Sequence, residues 1–413
     1  MRKRVWMPLA ALALGAAGFF GFAPGYVEAS MNKIDGQPGI PVSAEARALH
    51  QTLQIVDLHS DTLMWQRDML DRAERGHMDL PRLKDGNVAL QLLSSVTKTP
   101  RGQNYDGNSG DTDNITPLVI AQAQPIRTWG SLLERSLWHS TKLDRAVARS
   151  NGALRAVRAP DELDRLLADR TTGVKAPEVP ISTPGIAVRP VGAMLTIEGL
   201  QNLEGDLKNL DKLHAAGFRM AGLAHFFDND VAGSMHGVKK GGITPFGWQV
   251  IARMEELGMI VDVAHLSHQG LAELLPRVRR PVVSSHGGVQ ATCKTNRNLS
   301  DDEIRAVAKT GGIIGIGYWD GALCDTSPRS AARAMKHVRD LVGIQHVALG
   351  SDYDGATTVR FDTSELVQVT QALLDEGFTP DEVRAVMGGN ALRVLRAGIV
   401  PLGQLPQATK TAA

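Results

Sequence analysis

Residues 53–61 read Leu53-Gln54-Ile55-Val56-Asp57-Leu58-His59-Ser60-Asp61. A short apolar run of this kind is typical of a buried strand, and here it leads into an imidazole and a carboxylate two residues apart. Alternate side chains of a strand point to the same side of the sheet, so His59 and Asp61 can hold one divalent metal ion. Later apolar runs also lead to potential ligands, namely Glu198, His225, His265, His286 and Asp352. Such a series at successive strand ends predicts a metal site.

Short apolar runs alternate with polar loops and helix signals along the chain. The runs cover residues 53–58, 88–96, 191–197, 218–224, 259–264, 281–285, 312–318 and 346–350. Helix starts are indicated by Thr244-Pro245, by a capping box that begins at Ser300, and by Ser327-Pro328. This alternation implies parallel strands, and eight of them predict an α/β fold, a (β/α)8 TIM barrel. The alternative, a doubly wound open sheet, would gather its ligands at one switch point rather than around a ring.

The N-terminal segment has the features of an export signal. Basic residues at positions 2–4 precede an apolar stretch that reaches Ala23, and Val27-Glu28-Ala29 offers a small-x-small cleavage site before Ser30. We expect residues 1–29 to be a signal peptide, with an uncleaved N-terminal anchor as the alternative. Either reading predicts an exported protein, periplasmic or secreted, that contacts a membrane only if the segment is retained.

The rest of the chain is predicted to be a single catalytic barrel domain over residues 30–413. Between about residues 97 and 190 the strand–helix rhythm stops. A polar loop is followed there by a mainly helical stretch over roughly residues 116–168 and by a Pro-rich connector over residues 176–190. We interpret this region as a helical insertion after the second strand.

Composition and cysteine content limit the class of partner and the compartment. The chain has 413 residues, of which 43% are hydrophobic, and a formal net charge of +1. Because there is no basic run, nucleic acid is not an expected partner. The two cysteines, Cys293 and Cys324, both follow strands on the same face of the predicted barrel. In an oxidising compartment they can form a disulfide, and two separate thiols are the alternative.

The candidate ligands are sufficient for two metal ions. Imidazole and carboxylate groups suit zinc or a similar divalent ion, and a catalytic ion needs only three or four protein ligands. One bridging carboxylate lets a set of five side chains give three donors to each of two ions. The arithmetic favours a two-metal site with Glu198 as the bridge and an activated water between the ions. The five ligands are His59, Asp61, Glu198, His265 and His286.

Several motifs together resemble one known family. They lie at residues 56–61, 196–199, 262–267, 284–286, 296–298, 350–355 and 389–394, so they extend over nearly the whole chain after the N-terminal segment. The sequence resembles the membrane (renal-type) dipeptidase family, which consists of metallopeptidases on amidohydrolase-like barrels. The resemblance implies a zinc-dependent dipeptidase with two zinc ions per chain. By the family's pattern, His59 and Asp61 hold one zinc, His265 and His286 hold the other, and Glu198 bridges them.

The resemblance also assigns three residues that act on the substrate. It makes His225 the histidine that polarises the scissile carbonyl, and Arg297 the group that binds the C-terminal carboxylate of a dipeptide. Asp352 corresponds to the acid/base group that moves a proton from water to the leaving amine. These roles agree with the chemistry of the side chains, since a planar guanidinium binds a carboxylate through two parallel bonds. The family also implies tolerance of C-terminal D-residues, and a homodimer.

Two other functions stay open at the level of sequence. A different metal-dependent hydrolase on the same barrel, such as a lactonase or a deaminase, would share the fold and most ligands. A non-catalytic binding protein that kept the barrel is the alternative from another class.

Two further polar residues are predicted to have no chemical role. His236 lies in the glycine-rich loop over residues 233–242, where we expect it to be solvated, with a position at the substrate entrance as the alternative. Asp354, followed by Gly355, is predicted to be an ordinary turn residue.

Overall fold

A closed barrel of eight parallel strands forms the centre of the molecule, so the predicted (β/α)8 fold is confirmed. The computed structural model describes residues 15–172 and 189–404. The barrel strands, numbered along the chain, are β1 (Ile55–Asp57), β2 (Val88–Val96), β3 (Val191–Glu198), β4 (Phe218–Gly222), β5 (Ile260–Asp262), β6 (Val283–Ser284), β7 (Ile313–Ile316) and β8 (Val347–Leu349). Apart from Arg219, every residue of these strands is buried. Burial on both faces explains why the strands are continuous apolar runs rather than alternating ones.

Helices surround the barrel, and their caps follow the sequence signals. Thr244 accepts a hydrogen bond from the backbone N–H of Gly247, and Gly258 ends the same helix in the left-handed conformation with φ 72°. Ser300 and Glu303 form the predicted capping box. The α-helices are Ala23–Met31, Ala44–Gln51, Leu80–Asp85, Ile115–Ala121, Arg127–Gly130, Leu132–Arg149, Pro160–Thr172, Lys208–Ala215, Pro245–Leu257, His268–Leu274, Asp301–Lys309, Asp320–Leu323, Pro328–Val342, Val367–Asp375, Pro380–Arg384 and Asn390–Gly398.

The segment between β2 and β3 contains helices and one additional strand. The strand Leu154–Ala156 interrupts the predicted helical stretch and pairs in parallel with the start of β3. Most of the predicted Pro-rich connector, residues 176–188, lies outside the described residues. The helix Leu132–Arg149 packs beside β2 on the outside of the barrel.

The N-terminal segment contacts the barrel through a helix and a short strand. Residues 1–14 of the predicted export signal lie outside the described residues, whereas the helix Ala23–Met31 contains the predicted cleavage site. Lys33–Ile34 then pairs in parallel with Thr358–Val359, which follows β8. Within the described part of the chain, no helix combines the length and hydrophobicity that a membrane crossing needs.

The first and last barrel strands close the ring. Leu349 of β8 pairs with Asp57 of β1. The buried Asp57 carboxylate strengthens this junction, because it accepts hydrogen bonds from the backbone N–H and the hydroxyl of Ser351, the latter at 3.0 Å. It also accepts from the backbone N–H of His59 at 3.1 Å. Asp57 is therefore a structural carboxylate that fixes the loops on both sides of the junction.

A disulfide joins Cys293 to Cys324, and thereby links the loop after β6 to the loop after β7. Replacement of both cysteines with serine is expected to lower the free energy of unfolding by roughly 3 kcal/mol, because the link closes a long loop in the unfolded chain. Urea unfolding of the oxidised protein, the reduced protein and the double variant measures this. The reduced protein and the variant should agree, and an unfolding free energy equal to that of the oxidised protein would contradict the prediction.

Candidate active site

The five predicted metal ligands come together at the C-terminal ends of four barrel strands. His59 and Asp61 follow β1, Glu198 is the last residue of β3, His265 follows β5 and His286 follows β6. Each of the five is at most 5% exposed. Parallel strands in a barrel end at one face, so residues far apart in sequence become neighbours there.

The two oxygens of Glu198 face different ligands. Its Oε2 lies 3.5 Å from Nε2 of His59. Its Oε1 lies 2.9 Å from Nε2 of His265 and 3.3 Å from Nε2 of His286. On the first side, Nε2 of His59 is also 3.5 Å from Oδ1 of Asp61. This is the arrangement expected of a carboxylate that bridges two ions.

Unsatisfied polar atoms show that the cluster fits a divalent metal. Both ring nitrogens of His59, Oδ1 of Asp61 and Nδ1 of His265 are buried without a hydrogen-bond partner. Nε2 of His265 also lies only 3.0 Å from Nε2 of His286. Buried polar atoms without partners are costly, and a cation beside Nε2 of His59 and Oδ1 of Asp61, which lie 3.5 Å apart, would remove the cost for these two atoms. Groups of three ligand atoms within 4.8 Å of one another occur here, for example from His59, Asp61 and Glu198.

The protonation states differ across the cluster. Burial lowers the pKa of His265 and of His286 well below the usual range, which favours the neutral imidazole that binds metals. Burial also opposes the charged form of His59, but Glu198 and Asp61 raise the pKa of its imidazole well above the usual range. Burial, together with Glu198, raises the pKa of Asp61 to about 6. The carboxylates of Glu198 and Asp61 thus favour positive charge beside His59, which a divalent cation would supply.

A hydrogen-bonded pair behind the cluster orients His286. Oδ2 of Asp262 accepts a hydrogen bond of 2.5 Å from the hydroxyl of Ser285, which in turn lies 2.8 Å from Nδ1 of His286. The contact fixes the ring and leaves Nε2 directed at Glu198. Sequence analysis gave neither Asp262 nor Ser285 a role, although both lie in the family motifs and Asp262 ends β5.

His225 and Asp352 lie on opposite sides of the cluster. Nε2 of His225 is 3.4 Å from Oε1 of Glu198, and Oδ1 of Asp352 is 3.9 Å from Nε2 of His59. Burial raises the pKa of Asp352 well above the usual range, and the nearby Asp61 and Glu198 carboxylates add to the effect. Asp352 and His265 both have left-handed backbone conformations, with φ 58° and φ 63°. Such strain in non-glycine residues is typical of functional sites.

Arg297 is a buried cation that faces the same site. It is 3% exposed, and its Nη2 donates a hydrogen bond of 2.8 Å to the carbonyl of His286. Its guanidinium lies 5.6 Å from the centre of the Trp319 ring. Among the described residues, no carboxylate oxygen lies within 4.0 Å of a guanidinium nitrogen of Arg297, so the side chain forms no ion pair there. Arg297 is therefore available to an anionic group of a ligand.

A cavity of about 580 Å³ opens above the cluster. Its lining combines polar with apolar residues. The polar lining residues include Asp61, Glu198, His225, His265, Arg297 and Asp352. The apolar lining residues include a group that we call the apolar wall, which consists of Val27, Met31, Met64, Trp65, Val96, Ile115 and Leu118. All of these except Met31 belong to one buried cluster or pack against it. Tyr105, from the loop after β2, also lines the cavity, and its hydroxyl accepts a hydrogen bond of 3.0 Å from Trp319.

The two polar residues that were predicted to have no role are both buried. His236 is fully buried, with Nδ1 3.1 Å from the carbonyl of Tyr105 and its ring stacked on Phe226, so the prediction of a solvated residue is wrong. Asp354 lies in a turn as predicted, but its carboxylate accepts hydrogen bonds from Thr62, from the backbone of His77 and from Arg67. It therefore anchors the loops that carry Asp61 and Asp352.

A buried cluster of histidines and carboxylates at the strand ends of a (β/α)8 barrel is the site of a metal-dependent hydrolase. The sequence pattern of the membrane dipeptidase family, peptidase family M19, matches residues 186–399. The chain belongs to this family of metallo-dipeptidases, as the motifs predicted.

Individual proteins are similar to this chain in sequence or in fold. Dipeptidase aclJ of Aspergillus oryzae is 34% identical over 215 residues, which are 50% of this chain and 51% of that protein, so the match spans about half of its length. The fold is similar to that of the probable dipeptidase PvdM from Pseudomonas aeruginosa, with a TM-score of 0.69, 20% identity, and coverage of 86% of this chain and 97% of that chain. It is also similar to that of a metallopeptidase from Rhodobacter sphaeroides, liganded with a phosphinate mimic of the dipeptide L-Ala-D-Ala. The TM-score is 0.63, with 22% identity and coverage of 84% and 99%.

Proposed function

We propose that this protein is an exported, zinc-dependent dipeptidase that hydrolyses the peptide bond of dipeptides with a free C-terminal carboxylate. The observation that carries the proposal is the position of Arg297, a buried guanidinium without an ion-pair partner among the described residues, in the cavity that the ligand cluster lines. A lactonase or deaminase substrate without a carboxylate would leave this cation unpaired, which is unfavourable in a buried site.

Two zinc ions per chain are proposed, bridged by Glu198. His59 and Asp61 would hold one ion, and His265 and His286 the other. When bound, the ions supply Lewis-acid polarisation and lower the pKa of water. This arrangement is supported by the positions of the two Glu198 oxygens, because Oε2 lies near His59 and Oε1 lies near His265.

The chain's own residues then account for the remaining steps. Arg297 binds the C-terminal carboxylate and thereby orients the scissile bond. His225 donates a hydrogen bond to the carbonyl oxygen as negative charge develops on it. Asp352 accepts a proton from the attacking water and delivers it to the amine nitrogen as the carbon–nitrogen bond breaks.

C-terminal D-residues are proposed as acceptable substrates. The structural relative from Rhodobacter sphaeroides is liganded with a mimic of L-Ala-D-Ala. An assay that compares cleavage of L-Ala-D-Ala with cleavage of L-Ala-L-Ala tests this part of the proposal. We further propose a periplasmic or secreted location and a homodimer, which size-exclusion chromatography with light scattering would test.

Metal content and hydrolysis of a small dipeptide panel test the proposal. We expect two zinc ions per chain, and cleavage of L,L- and L,D-dipeptides that a chelator abolishes and zinc restores. The same dipeptides with a C-terminal amide serve as the matched control and should be poor substrates. Metal without dipeptide cleavage would move the function to another hydrolase of this fold. Protein that binds no metal would overturn the enzymatic proposal.

A further inference from the structure

The helix Ala23–Met31 forms part of the wall of the active-site cavity. Val27 and Met31, one turn apart on this helix, line the cavity together with the loops after β1 and β2. Val27 packs against a buried apolar cluster that includes Trp65, Val96 and Leu118. The helix thus borders the cavity that the predicted metal ligands also line.

Glu28 fastens this helix to the loops of the active site. The residue is 1% exposed, and its carboxylate lies 3.2 Å from Nε of Arg67 and 2.8 Å from Nε of Arg75. Arg67 in turn donates a hydrogen bond to Asp354. Asp354 accepts another from Thr62, the residue after Asp61, at 2.5 Å. A chain of buried charges therefore connects the N-terminal helix to the loop that carries a predicted metal ligand.

A second set of contacts continues directly after the helix. Oδ1 of the buried Asn32 accepts a hydrogen bond of 2.9 Å from the backbone of Ala356. Lys33–Ile34 then pairs with Thr358–Val359. Ala356 and Thr358 both line the cavity, so the N-terminal segment also supports the loop that follows Asp352.

The apolar wall lies across the barrel from Arg297. In a closed ring of eight strands, β2 and β6 stand opposite each other. Val96 ends β2, whereas Arg297 belongs to the loop after β6. A dipeptide whose C-terminal carboxylate contacts Arg297 would therefore extend its N-terminal residue towards the apolar wall.

We propose that the helix Ala23–Met31 is retained in the mature enzyme and that Val27 and Met31 form an apolar subsite for the side chain of the substrate's N-terminal residue. The subsite rests on the proposed dipeptidase function, whereas retention of the helix does not. Of the two sequence-based alternatives for residues 1–29, the contacts of Glu28 favour a segment that stays attached. Cleavage before Ser30 would remove Glu28 and leave Arg67 beside Asp354 without its second carboxylate.

Retention is tested on the full-length chain, produced in a host that exports it. Intact mass and N-terminal sequencing of the mature protein should show that Val27 and Glu28 are still present. A mature chain that begins after Glu28 would overturn the proposal. In addition, Glu28→Ala should lower the Tm by several degrees, because it removes one of the two carboxylates beside the buried Arg67 and also removes the partner of Arg75. Tyr26→Ser, an exposed position on the same helix, should leave the Tm unchanged. Equal melting of both variants would count against retention.

The subsite is tested by selectivity. We expect the double variant Val27→Ser/Met31→Ser to reduce the ratio of kcat/KM for Leu-Ala to kcat/KM for Gly-Ala roughly tenfold, since removal of apolar contacts acts mainly on the substrate whose side chain uses them. Tyr26→Ser is again the control. An unchanged ratio of Leu-Ala to Gly-Ala would overturn the subsite. If the wild-type enzyme cleaves neither dipeptide, the proposed function and with it the subsite fail, but the N-terminal analysis still decides retention.

Discussion

The variant Asp352→Asn is expected to retain its full metal content and to lose about 10³-fold in kcat, since proton transfer by a positioned carboxyl group contributes about 10²–10⁴-fold. The amide has nearly the same size and can still accept a hydrogen bond, but it cannot carry the proton from water to the leaving amine. Steady-state kinetics with a good dipeptide substrate, combined with metal analysis of the same sample, measures both quantities.

The matched control for this variant is Asp320→Asn. Asp320 also lines the cavity but is exposed and lies outside the clusters of potential metal ligands. The control separates the loss of a proton carrier from the loss of a negative charge near the site. If Asp352→Asn instead loses metal together with activity, Asp352 is a ligand, as its distance of 3.9 Å from His59 also allows. If Asp352→Asn has the same kcat as the wild-type enzyme, Asp352 does not transfer the proton.

The variant Arg297→Met should lower kcat/KM for a free dipeptide by roughly 10²–10³-fold, since truncation of one partner of a buried charge pair costs about 2–5 kcal/mol. The same variant should hardly alter the slow cleavage of the C-terminally amidated dipeptide. The ratio of the two kcat/KM values therefore isolates the interaction between the guanidinium and the carboxylate. It also distinguishes a dipeptidase from hydrolases whose substrates lack this group.

Arg277→Met is a suitable control because Arg277 stacks on Trp248 at 4.8 Å, much as Arg297 lies over Trp319. Arg277 does not line the active-site cavity. Its replacement should leave both rates unchanged. A loss of the same size for acid and amide in Arg297→Met would indicate that the arginine acts on the shape of the site rather than on the substrate's charge.

The sequence was most informative where local pattern determines structure. The eight apolar runs match the eight barrel strands to within a few residues, because strands buried on both faces must be apolar throughout. The positions of His59, Glu198, His265 and His286 followed from this, since each stands at the end of such a run and parallel strand ends meet at one face.

The parts that sequence analysis missed depend on contacts between distant residues. Asp262 supports His286 through Ser285, and Glu28 pairs with Arg67, but neither carboxylate differs locally from an ordinary polar residue. His236 was expected to be solvated because its loop is rich in glycine, yet Tyr105, from a loop more than 100 residues earlier, covers it. Such burial is decided by tertiary packing, which periodicity does not record.

The contact between β1 and β8 links recovery of activity to the last step of barrel closure. His59 and Asp61 follow β1, whereas Asp352 follows β8. The two strands pair with each other, and Asp57 of β1 accepts a hydrogen bond from Ser351, which lies in the loop after β8. These groups are almost 300 residues apart, and contacts of such long sequence range carry a large loop-closure entropy that delays their formation. Under the proposed mechanism, catalysis requires the contact that brings together the two ends of the barrel. We therefore expect a chain with every other strand in place to be inactive, so that regain of activity during refolding marks completion of the ring rather than its start.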